Sequence, residues 1–154
     1  MHNRLAAGLT LGASVWVAAL LAAPYAISAR NPVLVAIASL VYQGAGMICH
    51  QRPERSFHLA GVQLPVCGRC VGLYVSGAVG AVVAWFVSRR ISTRDIRLAL
   101  LVAAIPTALT VSLEFIGLIH PTNLVRAVSA LPLGAAAAWI FITSLRGEAG
   151  AGSW

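Results

Sequence analysis

The chain contains no lysine, four acidic residues and three cysteines in 154 positions, and each scarcity removes a class of protein. Without lysine there is neither Schiff-base chemistry nor a lysine general base. Three cysteines are too few for a disulfide scaffold, and two of them form the pair Cys67-x-x-Cys70, so the open question is metal binding or redox chemistry. Charged residues make up only 10% of the chain against 59% hydrophobic, with a mean hydropathy of +0.85, and this excludes a water-soluble globule. The eleven arginines give a net charge of +7, but they are scattered between long uncharged runs instead of forming a stripe. That distribution excludes nucleic acid as the partner and points to the lipid bilayer.

What the chain has in abundance is apolar runs of about 20 residues, the length that crosses a hydrocarbon core of roughly 30 Å. The expected architecture is all-α: a single transmembrane domain over residues 1–154 with helices at about 5–27, 33–48, 66–87, 98–119 and 124–145. Four of these are expected to be full spans. The stretch 33–48, opened by Asn31-Pro32, is shorter and either just spans or is re-entrant. Arg4 and the alanine-rich end around Pro24 resemble a signal peptide, but the run is too long and more membrane follows, so it is read as a retained helix. Gly72, Ser76, Gly80 and Ala84, and separately Ala130, Gly134 and Ala138, form small-residue stripes that let helices approach closely. Arg89, Arg90, Arg94 and Arg97 form the strongest basic loop, which places that loop in the cytoplasm and the 50–65 loop on the outer face of the membrane. Arg52 and Arg55 in the outer loop run against this rule unless they serve a function. Trp16, Tyr25, Tyr42, Trp85 and Trp139 read as interfacial or lipid-facing aromatics, and residues 146–154 as a frayed tail.

The chemistry concentrates where the oily composition stops. Cys49 and His50 end one helix, and Cys67 and Cys70 share a face at the start of the next, with Tyr74 one turn further on that face. Together Cys49, His50, Cys67 and Cys70 make a complete Cys3His set, the tetrahedral chemistry that zinc prefers. The start of a helix, together with Arg69 between the sulfurs, favours low-pKa thiols. Such thiols serve a metal, but they equally serve disulfide exchange with Cys49 as third thiol, and cysteines also pack membrane helices as small apolar residues. His58 is an alternative ligand to His50, while His120 reads as interfacial.

A second constellation is expected at the same end of the bundle. Glu114 lies shortly before the turn 120–123 and Arg126 shortly after it, so the two reach each other, and Thr107 and Thr110 continue the polar seam. Charged groups within a span demand a partner or a function. Glu114 and Arg126 therefore read either as a structural clamp or, with Arg55 and Tyr74, as catalytic residues beside the metal, Glu114 acting as a base. Arg52 and Arg55 suit a phosphate headgroup or another anion, with interfacial anchoring or pairing to Glu54 as the plainer alternative.

The run Cys49-His50-Gln51-x-Pro53-x-Arg55-Ser56-Phe57, followed by Pro65-Val66-Cys67-x-Arg69-Cys70-x-Gly72-x-Tyr74, resembles the signature of the prokaryotic membrane-protein family known as domain of unknown function 2085. Glu114, Asn123-x-x-Arg126 and Gly134 extend the resemblance over roughly residues 33–145, although relatives more often carry Asp-Gly where this chain has Glu114-Phe115. The resemblance implies a small polytopic membrane protein defined by its Cys/His motif and supplies no activity. The functional expectation is a membrane zinc protein, either a hydrolase or a transferase on a lipid-linked or anionic interfacial substrate. A thiol–disulfide oxidoreductase and a non-enzymatic transporter or assembly factor are the alternatives.

Overall fold

In the computed structural model, which describes residues 2–87 and 92–147, the described chain forms five α-helices and one small β-hairpin. Helix α1 (His2–Ser28) runs unbroken for 27 residues, about 40 Å at 1.5 Å per residue, and its hydroxyls at Thr10, Ser14 and Ser28 bond back to carbonyls four residues earlier. Helix α2 (Pro32–Gly46) follows after a short turn, with Asn31 capping Val33 and Leu34 and proline at its first position. At 15 residues it is about 22 Å long, too short to cross roughly 30 Å of hydrocarbon. It runs back along α1 until Ala45 and Cys49 pack beside Leu20 and Trp16.

The segment expected to be a simple loop at 50–65 has its own structure. A 3-10 turn (Pro53–Arg55) leads into strand β1 (Ser56–Leu59), which pairs antiparallel with β2 (Val62–Cys67). Ala60 and Gly61 between them both have positive φ, +51° and +77°, the requirement of a tight two-residue hairpin with type I′ geometry. Ser28 donates its hydroxyl to the Ala60 carbonyl, so the hairpin tip returns to the end of α1 from which α2 departs. The stretch 32–67 thus runs along α1 and comes back to its end.

Helix α3 (Gly68–Val83) is 16 residues, shorter than the expected 66–87. Pro65 lacks a backbone N–H and the residue before it prefers extended geometry, so the apolar run is divided between a strand and a helix. Of the expected spans, three described helices, α1, α4 (Thr93–Phe115) and α5 (Asn123–Leu145), have the length and hydropathy to cross a membrane, and α3 is a shorter apolar helix. The all-α expectation is corrected to a mostly helical fold carrying a two-stranded hairpin. Helix α4 stops at Phe115, four residues before the expected end, because Gly117 at φ +74° closes a Schellman motif in which Gly117 N–H bonds the Glu114 carbonyl and Leu118 N–H the Leu113 carbonyl.

The two small-residue stripes, each expected to admit a close helix, meet one another. A methyl added at Gly72 would lie on the Ala127 carbonyl, one at Gly80 on the Ala135 carbonyl, and one at Gly134 on Ser76 and the Leu73 carbonyl. These matches rise together along both helices, so α3 and α5 are parallel and their N-termini stand side by side, Gly68 against Asn123. Helix α4 lies antiparallel to α5, with Thr107 donating to the Ser129 carbonyl at 2.8 Å and Thr110 to the Ser129 hydroxyl at 3.2 Å. Large apolar side chains such as Leu11, Leu98, Leu101, Ile105 and Leu124 stand exposed around this bundle, the surface a bilayer covers.

Three of the aromatics expected to be interfacial or lipid-facing are half-buried and make contacts within the protein. Trp16 packs beside Leu20, Tyr42 donates its hydroxyl to the Gln63 carbonyl, and Trp85 donates to Thr10 at 3.1 Å while Arg146 lies 4.7 Å over its ring. Arg146, expected at the start of a frayed tail, is held by its bond to the Ala84 carbonyl. Of the basic loop used for orientation, Arg89 and Arg90 lie outside the described residues, as does the tail from 148 onward.

Candidate metal centre and arginine cluster

Cys49 is set by the last turn of α2, where its N–H bonds the Ala45 carbonyl at 2.9 Å. The chain then reverses through Gln51 at φ +47°, and the Gln51 side chain fixes the reversal by donating to the Tyr42 carbonyl at 2.7 Å and the Pro65 carbonyl at 2.8 Å. Gln63 reciprocates from β2 with a bond of 2.6 Å to the Gln51 carbonyl. These glutamines, which the sequence reading passed over, join the end of α2 to the hairpin and so bring Cys49 to Cys67.

The three thiols converge. Cys67 N–H donates to Cys49 Sγ at 3.2 Å, Cys67 and Cys70 sulfurs lie 3.4 Å apart, and all three sulfurs fall within 4.8 Å of one another. Cys67 is the N-cap of α3 but makes no side-chain capping bond, so its sulfur stays available to the cluster. Its thiol is pushed down to about 5, mainly because the Cys70 thiol donates to it; burial opposes this, and the N–H of Cys70, the Cys49 thiol and the N–H of Arg69 assist. Three thiols in this arrangement can hold a metal ion. His50 is exposed and lies outside the group of three, although it lines the same cavity. His58 and His120 are exposed and outside the group as well. Tyr74 packs against the buried patch that contains Cys49 and Val66.

Beside the thiols, Glu114 binds three guanidiniums. Its Oε1 accepts from Arg126 at 2.9 Å and is ion-paired with Arg55 at 3.2 Å, and its Oε2 accepts from Arg69 at 3.0 Å. Arg126 also donates to Asn123 Oδ1 at 2.9 Å, and Asn123 donates to the Ser56 carbonyl at 2.9 Å. The expected Glu114–Arg126 pairing is present, while Arg69 and Arg55 as further partners were not foreseen: Arg69 was read as a companion of the sulfurs and Arg55 as a partner of Glu54 or an anion. Arg69 depends on the parallel docking of α3 on α5, which brings Gly68 to Asn123 and carries Arg69 to the end of α4; Arg55 is carried by the 3-10 turn, tied to α5 through the bond from Asn123 to the Ser56 carbonyl. The only hint in the sequence was the paired small-residue stripes.

A cavity of about 510 Å³ joins the two constellations, with Cys49, Cys67 and Cys70 on one side and Arg55, Arg69 and Arg126 on the other. Of the arginines lining it, Arg126 is the most deeply buried, its side chain 9% exposed, whereas Arg55 at 39% stands nearer the mouth.

The family described as predicted membrane protein, DUF2085, matches residues 49–140, from the first thiol to the last third of α5. An uncharacterised protein of Methanothermobacter thermautotrophicus is 33% identical over 87 residues, 56% of this chain and 78% of its own length. An uncharacterised protein of Methanocaldococcus jannaschii is 31% identical over 102 residues; the match spans 64% of each chain, a little under two thirds of that relative. No solved structure matches the chain.

Proposed function

The chain belongs to DUF2085, the predicted membrane protein family, and from that premise we propose that it is a membrane metalloprotein that holds zinc on Cys49, Cys67 and Cys70 and acts as a hydrolase or transferase on an anionic, lipid-linked or interfacial substrate. The observation that carries this reading is the convergence of three sulfurs from two separate segments on the wall of a polar cavity. Three protein ligands and a fourth position facing a cavity is the pattern of a catalytic site, where a closed four-ligand set is structural. His50, exposed on the same wall, is the protein group able to close that fourth position. A bound divalent ion there supplies a Lewis acid and an acidified water.

The chain's own residues supply the rest. Arg55 and Arg126 bind the anionic group, since a guanidinium fork matches carboxylate and phosphate oxygens. Glu114, with both oxygens engaged, holds the guanidiniums in place, and Tyr74 packs behind the thiols. The motif face is assigned to the outside of the plasma membrane.

Metal analysis of purified protein tests this reading: about one zinc per chain is expected, and Cys49→Ser, Cys67→Ser or Cys70→Ser should each remove it. The sulfur separation of 3.4 Å between Cys67 and Cys70 favours a second reading, thiol–disulfide exchange. Folded, metal-free protein with a reversible Cys67–Cys70 disulfide would establish that reading in place of the first.

A further inference from the structure

We propose that the cavity beside the thiols is a binding site for a phosphate monoester, gripped by Arg52, Arg55, Arg69 and Arg126. The charge balance supports it. Arg55, Arg69 and Arg126 surround one carboxylate, and Arg52 lines the same cavity, leaving an excess of three positive charges. If the metal reading above holds, a divalent ion on three thiolates contributes one negative charge and the excess becomes two. A phosphate monoester carries about 1.5 to 2 negative charges at neutral pH, which matches that excess where a single carboxylate would leave half of it uncompensated.

The donors are also unspent. Arg55 and Arg69 each turn only Nη2 to Glu114, and the Nε atoms of Arg69 and Arg126 are buried with no hydrogen-bond partner. A buried donor left unpaired costs about 1–3 kcal/mol, so an oxyanion that pairs with such groups is favoured to bind. The N-termini of α3 and α5, side by side at the same level, add the positive ends of two helix dipoles. The volume of about 510 Å³ holds a phosphate and an organic group besides. Ile48 and Phe115 on the rim are 60% and 89% exposed, an apolar edge suited to the chains of a phosphorylated lipid, so the monoester is supplied either by a lipid headgroup or by a soluble compound.

Thermal unfolding in phosphatidylcholine nanodiscs, followed by tryptophan fluorescence, tests this with two probes. One is inorganic phosphate against sodium chloride of equal ionic strength. The other is phosphatidic acid in the disc, whose headgroup is a monoester, against phosphatidylglycerol, whose headgroup is a diester. Stabilisation by phosphatidic acid alone identifies the lipid source, and saturable stabilisation by inorganic phosphate identifies a soluble one. In either case Arg55→Gln, and independently Arg52→Gln at the exposed mouth, should weaken binding by about tenfold or more while zinc content stays that of the unaltered protein. No stabilisation by either probe, or stabilisation that persists undiminished in both variants, overturns the site. Because metal content is measured on the same samples, absence of anion binding in the unaltered, zinc-loaded protein counts against this proposal alone, and absence of zinc against the metal reading alone.

Discussion

Replacing Glu114 with glutamine is the most informative single perturbation of this fold, because one carboxylate joins the 3-10 turn, α3 and α5 to α4. Glutamine keeps the size but removes the negative charge and presents an amide donor to guanidiniums that only donate. The three pairs do not count equally. Arg55 is 39% exposed, so solvent screens its pair to within about 1 kcal/mol. Arg126 and Arg69, at 9% and 18%, are the pairs whose loss leaves uncompensated charge away from water. Breaking such a buried arrangement costs about 3–5 kcal/mol. Glu114→Gln should therefore lose about that much in reversible unfolding by sodium dodecyl sulfate in mixed micelles. The double variant Glu114→Gln/Arg126→Gln should recover a substantial part, since it also removes the most deeply buried unpaired cation. A loss below about 1 kcal/mol in Glu114→Gln, the range of surface ion pairs, would refute the view that this cluster holds the bundle together.

Three further outcomes are expected. Gly72→Ala and Gly134→Ala should each destabilise by about 1–3 kcal/mol in the same unfolding assay, whereas Gly8→Ala and Gly12→Ala, with open space around them, should be neutral or slightly stabilising. In metal-free, reduced protein the Cys67 thiol, held near 5, should alkylate with iodoacetamide already at pH 6; Cys70→Ala removes the main donor, so the titration of that rate should move to higher pH, and an unmoved profile would contradict the assignment. A fluorescent protein fused after Gly147 should fluoresce in cells and an alkaline phosphatase fused there should be inactive, because the end of α5 is assigned to the cytoplasm; active phosphatase would reverse the orientation.

The spans α1, α4 and α5 were legible because run length and hydropathy alone decide whether a segment can cross a bilayer. The hairpin was not, since Val62–Cys67 is as apolar as the helix that follows and nothing in composition separates a buried strand from a buried helix turn. Its signals were Pro65, which disfavours helix before it, and Ala60-Gly61, where a two-residue turn needs positive φ. The thiol cluster was legible from spacing, because the Cys-x-x-Cys pair and Cys49 flank one connection and must return to each other. The position of His50 outside the sulfur group was not, since adjacency in sequence does not fix which way a side chain leaves a reversed backbone at Gln51. Glu114 and Arg126 were paired correctly from their distance to a shared turn. The arrival of Arg69 required the tertiary docking of α3 on α5, which depends on matched glycines in two distant stretches, and that of Arg55 required the 3-10 turn that leads into the hairpin.

X-ray absorption at the zinc edge of the purified protein tests the metal assignment most directly. Three sulfur scatterers at about 2.3 Å and one nitrogen or oxygen at about 2.0–2.1 Å are expected, with the sulfur shell lost in Cys67→Ser. Protein that is folded and free of metal, or an ion surrounded only by nitrogen and oxygen, would contradict it.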